Sequence, residues 1–196
     1  VTAVTLALAP LLAAAVVEPD DVVVVAASGT SGAGRAPKST LLASEVMGSM
    51  SAYKVGGTHQ HTPEMAQNLR YATGADVRLS FTPMLAPMSR GILATCSARL
   101  SPGTSEADVL DVLGAAYSGE PFVRVLTPGQ WPVTGATLGS NTVHLQAAVD
   151  GHAGRVTVVA AEDNLVKGAA GQALQNANLV LGFPETMGLP VDGVAP

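Results

Sequence analysis

The stretch Gly139–Ala161, GSNTVHLQAAVDGHAGRVTVVAA, holds two apolar, β-branched runs on either side of Asp150-Gly151-His152-Ala153-Gly154. The turn formers in the middle predict a hairpin, with one strand running through Val149 and the next over residues 155–161. Working outward, Phe122–Leu126 and Gly91–Leu100 are further strands. In Asp76–Thr82 the apolar Val77, Leu79 and Phe81 alternate with Arg78 and Ser80, a strand with one wetter face, which Pro83 and Pro87 then end. Asp21–Ala27 (DVVVVAA) has no polar alternation and is expected as a central strand buried on both faces. Apolar spacing places helices over Val1–Val17, Pro63–Tyr71, Glu106–Tyr117 and Asp163–Leu181, with a short one or an irregular crossover over Thr40–Met47. Strands that follow one another without intervening helices exclude a doubly wound order. The predicted class is α+β, a mixed sheet with helices mainly on one face, formed by residues 1–196 as one domain.

The 196 residues are 47% hydrophobic and 13% charged, enough to bury a core and too apolar for a disordered chain. Ten basic against fifteen acidic residues give a net charge of -5, and no Lys/Arg run occurs. A phosphate-tracking nucleic-acid surface is therefore excluded and a small-molecule partner favoured. Val1–Val17 is uncharged but lacks a basic segment before it and contains Pro10, so it reads as a buried helix rather than a secretory or membrane segment. One cysteine, Cys96, excludes an internal disulfide and is compatible with a reducing cytoplasm. Its neighbours Ile92, Leu93, Ala94 and Ala98 suit a small buried side chain rather than a nucleophile.

Two of the four histidines fall in Tyr53-Lys54-Val55-Gly56-Gly57-Thr58-His59-Gln60-His61-Thr62-Pro63-Glu64. Imidazoles titrate near neutrality, so this is the chemistry of a proton-transfer site. Thr62-Pro63-Glu64 reads as N-cap, first helical proline and first-turn acid, which puts His61 just outside the cap and lets the helix pin the loop; Gly74 stops the helix. His144 on a strand and His152 in the hairpin turn are too scattered to complete a zinc set, so no metal is expected. The three glycines of Ser28–Arg35 lack the Lys-Ser/Thr pair of a P-loop, which excludes an ATP site there.

Taken together, the His59–Glu64 stretch, Ala27–Arg35 (ASGTSGAGR), Phe81–Thr95 (FTPMLAPMSRGILAT), Asp163–Gln172 (DNLVKGAAGQ) and the closing segment from Val191 to Pro196 resemble the N-acetyl-gamma-glutamyl-phosphate reductases of arginine biosynthesis. The resemblance implies a glyceraldehyde-3-phosphate-dehydrogenase-like C-terminal domain. It also implies an amino-terminal Rossmann domain and a nucleophilic cysteine in a Gly-Cys-Tyr segment, both upstream of Val1. The chain is accordingly read as the carboxy-terminal catalytic and dimerisation half, inactive alone, of a cytoplasmic homodimer or homotetramer. The implied reaction is NADP-dependent reduction of N-acetyl-glutamyl 5-phosphate to the 5-semialdehyde through a cysteine thioester.

On that reading His61 is the first choice for the acid/base and His59 the second, with Glu64 orienting or tuning the imidazole. Arg90 is preferred for the substrate's anionic groups because of its planar fork of donors, with Arg35 as the alternative and Ser28 beside it. Gly32, Tyr53, Asn164 and Gly168 are expected near NADP. The last helix, with two glycines that need a reason, would lie against a helix contact or the cofactor. Two other readings stay open: an aspartate-semialdehyde-dehydrogenase-like enzyme, and a non-catalytic oligomerisation or metal-binding domain.

Overall fold

A computed structural model describes residues 1–194, so Ala195 and Pro196 of the closing segment lie outside the described residues. The helices are α1 (Thr2–Ala13), α2 (Ala43–Val46), α3 (His61–Thr73), α4 (Glu106–Tyr117), α5 (Thr134–Thr137) and α6 (Gly171–Leu181). The strands are β1 (Val22–Ser28), β2 (Ser51–Ala52), β3 (Leu79–Leu85), β4 (Ile92–Arg99), β5 (Val123–Val125), β6 (Val143–Asp150) and β7 (Arg155–Glu162). They form one seven-stranded sheet in the order β2-β3-β1-β4-β7-β6-β5. The β1/β3 and β5/β6 pairs are parallel and the other neighbours antiparallel, so the sheet is mixed, as the consecutive strands required. The hairpin forms as read, with Val149 opposite Val156 and Asp150 opposite Arg155.

One face of the sheet carries the core. Val22, Val24, Ala94, Cys96, Leu145, Val156 and Val158 meet Ala7, Leu8 and Leu11 of α1, Met65 and Leu69 of α3, and Val109 and Leu113 of α4. Helix α1 is apolar all round because it is the middle member of that helical layer. Pro10 does not break it. A proline removes the N–H that would bond the carbonyl four residues back, which is that of Leu6, and the Tyr117 hydroxyl of α4 donates to this Leu6 carbonyl instead. Ser105 and Asp108 close a capping box on α4, the hydroxyl accepting from the Asp108 N–H and the carboxylate from the Ser105 N–H.

Several expectations are corrected. Strand β1 is not buried on both faces: Val23 is 39% exposed, because α1, α3 and α4 all lie on the other side. Pro83 lies inside β3 rather than ending it. Its carbonyl accepts the Tyr53 N–H at the sparse β2 side, which is where its missing N–H would point, so no ladder bond to β1 is lost. Helix α3 starts at His61 after Gln60, not at a Thr62 cap, and the Thr62 hydroxyl is buried without a partner. The predicted long final helix is a turn at Asp163–Leu165, a π-helical stretch over Val166–Ala170, and then α6. Gly182 ends α6 in the left-handed conformation, as its sequence position suggested. Thr40–Met47 contains the end of a 3-10 turn and then the one-turn α2.

Candidate active site

The first turn of α1, the loop after β1, the loop between β2 and α3, and the end of β7 surround a cleft of about 1510 Å³. Ser28, Gly32, Tyr53, His59, His61, Glu64, Asn164 and Gly168 all line it. Arg35 and Arg90 do not.

The histidines differ in role. Gly56 and Gly57 both adopt positive φ, 76° and 78°, which turns the chain back sharply and returns His59 beside Tyr53. His59 is 9% exposed, and its ring is edge-on to those of Tyr53, His61 and Phe81, with centroids 5.6, 4.9 and 5.2 Å away. The His61 backbone N–H donates to His59 Nδ1 at 3.2 Å, so that nitrogen is an acceptor and the proton of the neutral ring sits on Nε2. His61 is exposed at the cleft mouth, on the first residue of α3. Burial lowers both imidazole pKa values, and the charge of Glu64 pulls that of His61 partly back up. Among the described residues no hydrogen bond joins Glu64 to either ring, so its influence is electrostatic rather than orienting.

The loop after β1 is stitched to the segment before β4. Gly29 N–H donates to the Gly91 carbonyl at 2.8 Å, Thr30 N–H to that of Met88 at 2.9 Å and Ser31 N–H to that of Ser89 at 3.1 Å. A Cβ on Gly29 would stand 2.8 Å from the Arg90 backbone, which explains the glycine. Asn164 brackets the two segments, its Oδ1 accepting from Gly91 N–H at 2.7 Å and its Nδ2 donating to Ser31 Oγ at 3.0 Å. Arg90 is engaged elsewhere: its Nη2 and Nε lie 2.7 and 3.3 Å from the carboxylate of Asp163, which is fully buried. The preferred anion ligand is thus a partner of Asp163 and is not brought to the cleft.

The sequence reading missed two residues that are. Glu162 and Lys167, both buried, line the cleft. The signal was available in part: a glutamate closing an otherwise apolar strand and a lysine within an Ala/Gly-rich turn are out of place unless something uses them. Burial pushes the Glu162 carboxyl up to about 7, and burial lowers the Lys167 pKa. A raised acid pKa means that the folded state binds more protons than the unfolded one between pH 4.5 and about 7. Stability is therefore drawn down as pH rises through that window. Glu162→Gln should flatten this slope, gaining relative to the parent at pH 8 over pH 5 in urea melts; parallel curves at the two pH values would contradict it.

Cys96 is fully buried and its thiol is pushed up to about 12, so it is inert. His144 is half-buried on the uncovered sheet face and His152 is exposed in the hairpin. Among the described residues no group of three His, Cys, Asp or Glu side chains could hold a metal ion, and no helix is long and apolar enough to cross a membrane.

Comparison with known proteins accords with this architecture. Over all 196 residues the chain is 67% identical to a protein of Acidothermus cellulolyticus named N-acetyl-gamma-glutamyl-phosphate reductase, covering 57% of that protein. Over 195 residues it is 62% identical to one of the same name from Frankia casuarinae, again covering 57% of it. The chain thus spans a little over half the length of these relatives. Aspartate semialdehyde dehydrogenase II from Vibrio cholerae has the same fold, with a TM-score of 0.73 over 92% of this chain and 59% of that one at 16% identity. The semialdehyde dehydrogenase dimerisation domain matches residues 1–164, and it is to this family that the chain belongs.

Proposed function

We propose that this chain supplies the acid/base and substrate-holding half of an N-acetyl-gamma-glutamyl-phosphate reductase, an NADP-dependent enzyme of cytoplasmic arginine biosynthesis. The observation that carries the reading is the exposed, largely neutral imidazole of His61 lining the same cleft as the first turn of α1. A cysteine preceding Val1 would stand at that amino end, where unpaired N–H groups favour a thiolate. His61 takes the thiol proton. The thiolate attacks the acyl-phosphate carbonyl of N-acetyl-glutamyl 5-phosphate, phosphate leaves, and a thioester remains. His61 then returns the proton to the oxygen that becomes negative as the thioester is reduced. His59 holds the His61 backbone and packs the loop.

The cleft fits a nicotinamide ring. A Cβ at Gly32 would come 3.1 Å from Ser28 Oγ and one at Gly168 3.3 Å from Glu162 Oε1, so both glycines keep a narrow space open beside Asn164. Gly32, Tyr53, Asn164 and Gly168 would hold the ring, and one N–H of Asn164 is spare after its bond to Ser31. When bound, NADPH supplies the hydride. The uncovered face of the sheet, apolar at Val23 and flanked by the half-buried Val25 and Ala27, is the surface through which we expect two copies to associate.

The test is turnover by the complete enzyme in the oxidative direction, with NADP and phosphate, on the two semialdehydes. N-acetyl-glutamate semialdehyde should be preferred over aspartate semialdehyde by about a hundredfold or more in kcat/KM. The opposite preference assigns the aspartyl-phosphate activity. The 196-residue chain alone should show no turnover, and activity from it would remove the nucleophile from its proposed place before Val1.

A further inference from the structure

Lys167 is only 4% exposed and lines the cleft. Its ammonium donates to Gln175 Oε1 at 2.6 Å and stands 5.4 Å over the Phe122 ring. Gln175 is neutral, and among the described residues no carboxylate is in salt-bridge contact with Lys167. An ammonium has three donors, and although the charges of Glu162, Glu185 and Glu120 act on Lys167, none of them pairs with it directly, so its burial outweighs their help and donors are left over. Five residues earlier, Glu162 is 1% exposed with Oε2 buried and without a hydrogen-bond partner, while the Ala3 N–H of α1 faces its carboxyl group. The cleft therefore holds a spare cationic donor and a spare acceptor, both fixed by packing and both outside the acid/base chemistry assigned to His61.

We propose that Lys167 and Glu162 form the substrate-recognition floor of the cleft, Lys167 binding the carboxylate of an N-acylated amino acid and Glu162 accepting its amide N–H. In such a ligand the carboxylate and the amide N–H hang on one carbon, so an anion and a donor arrive together where a cation and an acceptor wait. This rests on the functional reading above and names the groups that read the non-reacting end of the substrate. It is also consistent with a cleft lining that holds no arginine among the described residues, Arg90 being held by Asp163. Binding energy from that remote end orients the acyl phosphate toward α1 and His61.

The experiment uses the complete enzyme and two stable ligands, N-acetyl-L-glutamate and its α-carboxamide, N-acetyl-L-isoglutamine. Titration calorimetry should show the wild type binding the acid about ten- to a hundredfold more tightly than the amide, the range of a hydrogen bond to a charged group. Lys167→Met should bind the two alike, with KM for the acyl phosphate raised more than kcat is lowered. N-methylation of the acetamido nitrogen should weaken wild-type binding about tenfold and leave Glu162→Leu binding unchanged. A wild type that binds acid and amide equally overturns the proposal without any variant, should either substitution prevent folding. A Lys167→Met enzyme that keeps the ratio but loses competition by inorganic phosphate moves Lys167 to the phosphoryl end and also overturns it. If the enzyme turns over neither semialdehyde, the functional reading fails and takes this inference with it. Turnover with an unchanged acid/amide ratio in Lys167→Met sinks this inference alone.

Discussion

Replacing His61 by asparagine in the complete enzyme is expected to slow the chemical step by ~10²–10⁴-fold while the chain keeps its fold. Asparagine hydrogen-bonds as imidazole does but cannot take up and return a proton at neutral pH. His61 is exposed at the start of α3, so little packing is lost with its ring. His59 is the opposite case: it is buried against three rings and accepts the His61 N–H, so His59→Asn should act mainly through stability. His144→Asn should leave the rate unchanged. Single-turnover rates with thermal melts on each variant separate these effects, and a larger rate loss at His59 than at His61 would exchange their roles. The pH profile gives a second handle. The working form of His61 is neutral, and burial lowers its pKa below 6.5, so activity should persist below that pH and fall as acid carries the ring through its lowered pKa. The Glu64 charge raises that pKa, so Glu64→Gln should move the acid limb to still lower pH. A limb that stays in place would remove Glu64 from the site.

The sequence exposed what local chemistry decides. The β6/β7 hairpin is written in Asp150–Gly154 and the end of α6 in Gly182. It also singled out eight residues that line one cleft, because they lie at a strand end, in loops or in the first turns of helical stretches that the fold aims there. What it hid was decided by distant partners. Pro10 stands inside a helix that the sequence predicts, but the donor that replaces its missing N–H at the Leu6 carbonyl comes from Tyr117, far along the chain. Pro83 looked like a strand end until the short β2 made its missing N–H harmless. The four valines of β1 looked doubly buried because an unbroken apolar run does not say which face the chain's own helices cover. Arg90 looked free because its partner lies 73 residues away.

That pairing yields the second large effect. Asp163 is fully buried and accepts not only from Arg90 but also from Gly139 N–H at 2.7 Å and Leu165 N–H at 2.8 Å. It thus ties the β4 entry, the turn before β6 and the start of the π-helical stretch to one carboxylate. Removing the guanidinium leaves that charge buried with only neutral donors, and breaking such a pair costs about 3–5 kcal/mol. Because Arg90 keeps a third of its side chain in solvent, the lower end is expected for Arg90→Met. Arg90→Lys retains the charge without the fork and should fall between the two. Urea unfolding of the complete enzyme measures this, and KM of the surviving folded fraction should move far less than stability. The Asn164 bracket shares the same turn, so the loop from Ser28 to Gly34 should also loosen, visible as faster amide exchange at Ser31 and Gly91. An Arg90→Lys enzyme of parental stability with KM raised tenfold or more would restore Arg90 as the anion ligand. The Asp163 bond would then be one that substrate displaces, and Lys167 would no longer be the cation assigned to the substrate carboxylate.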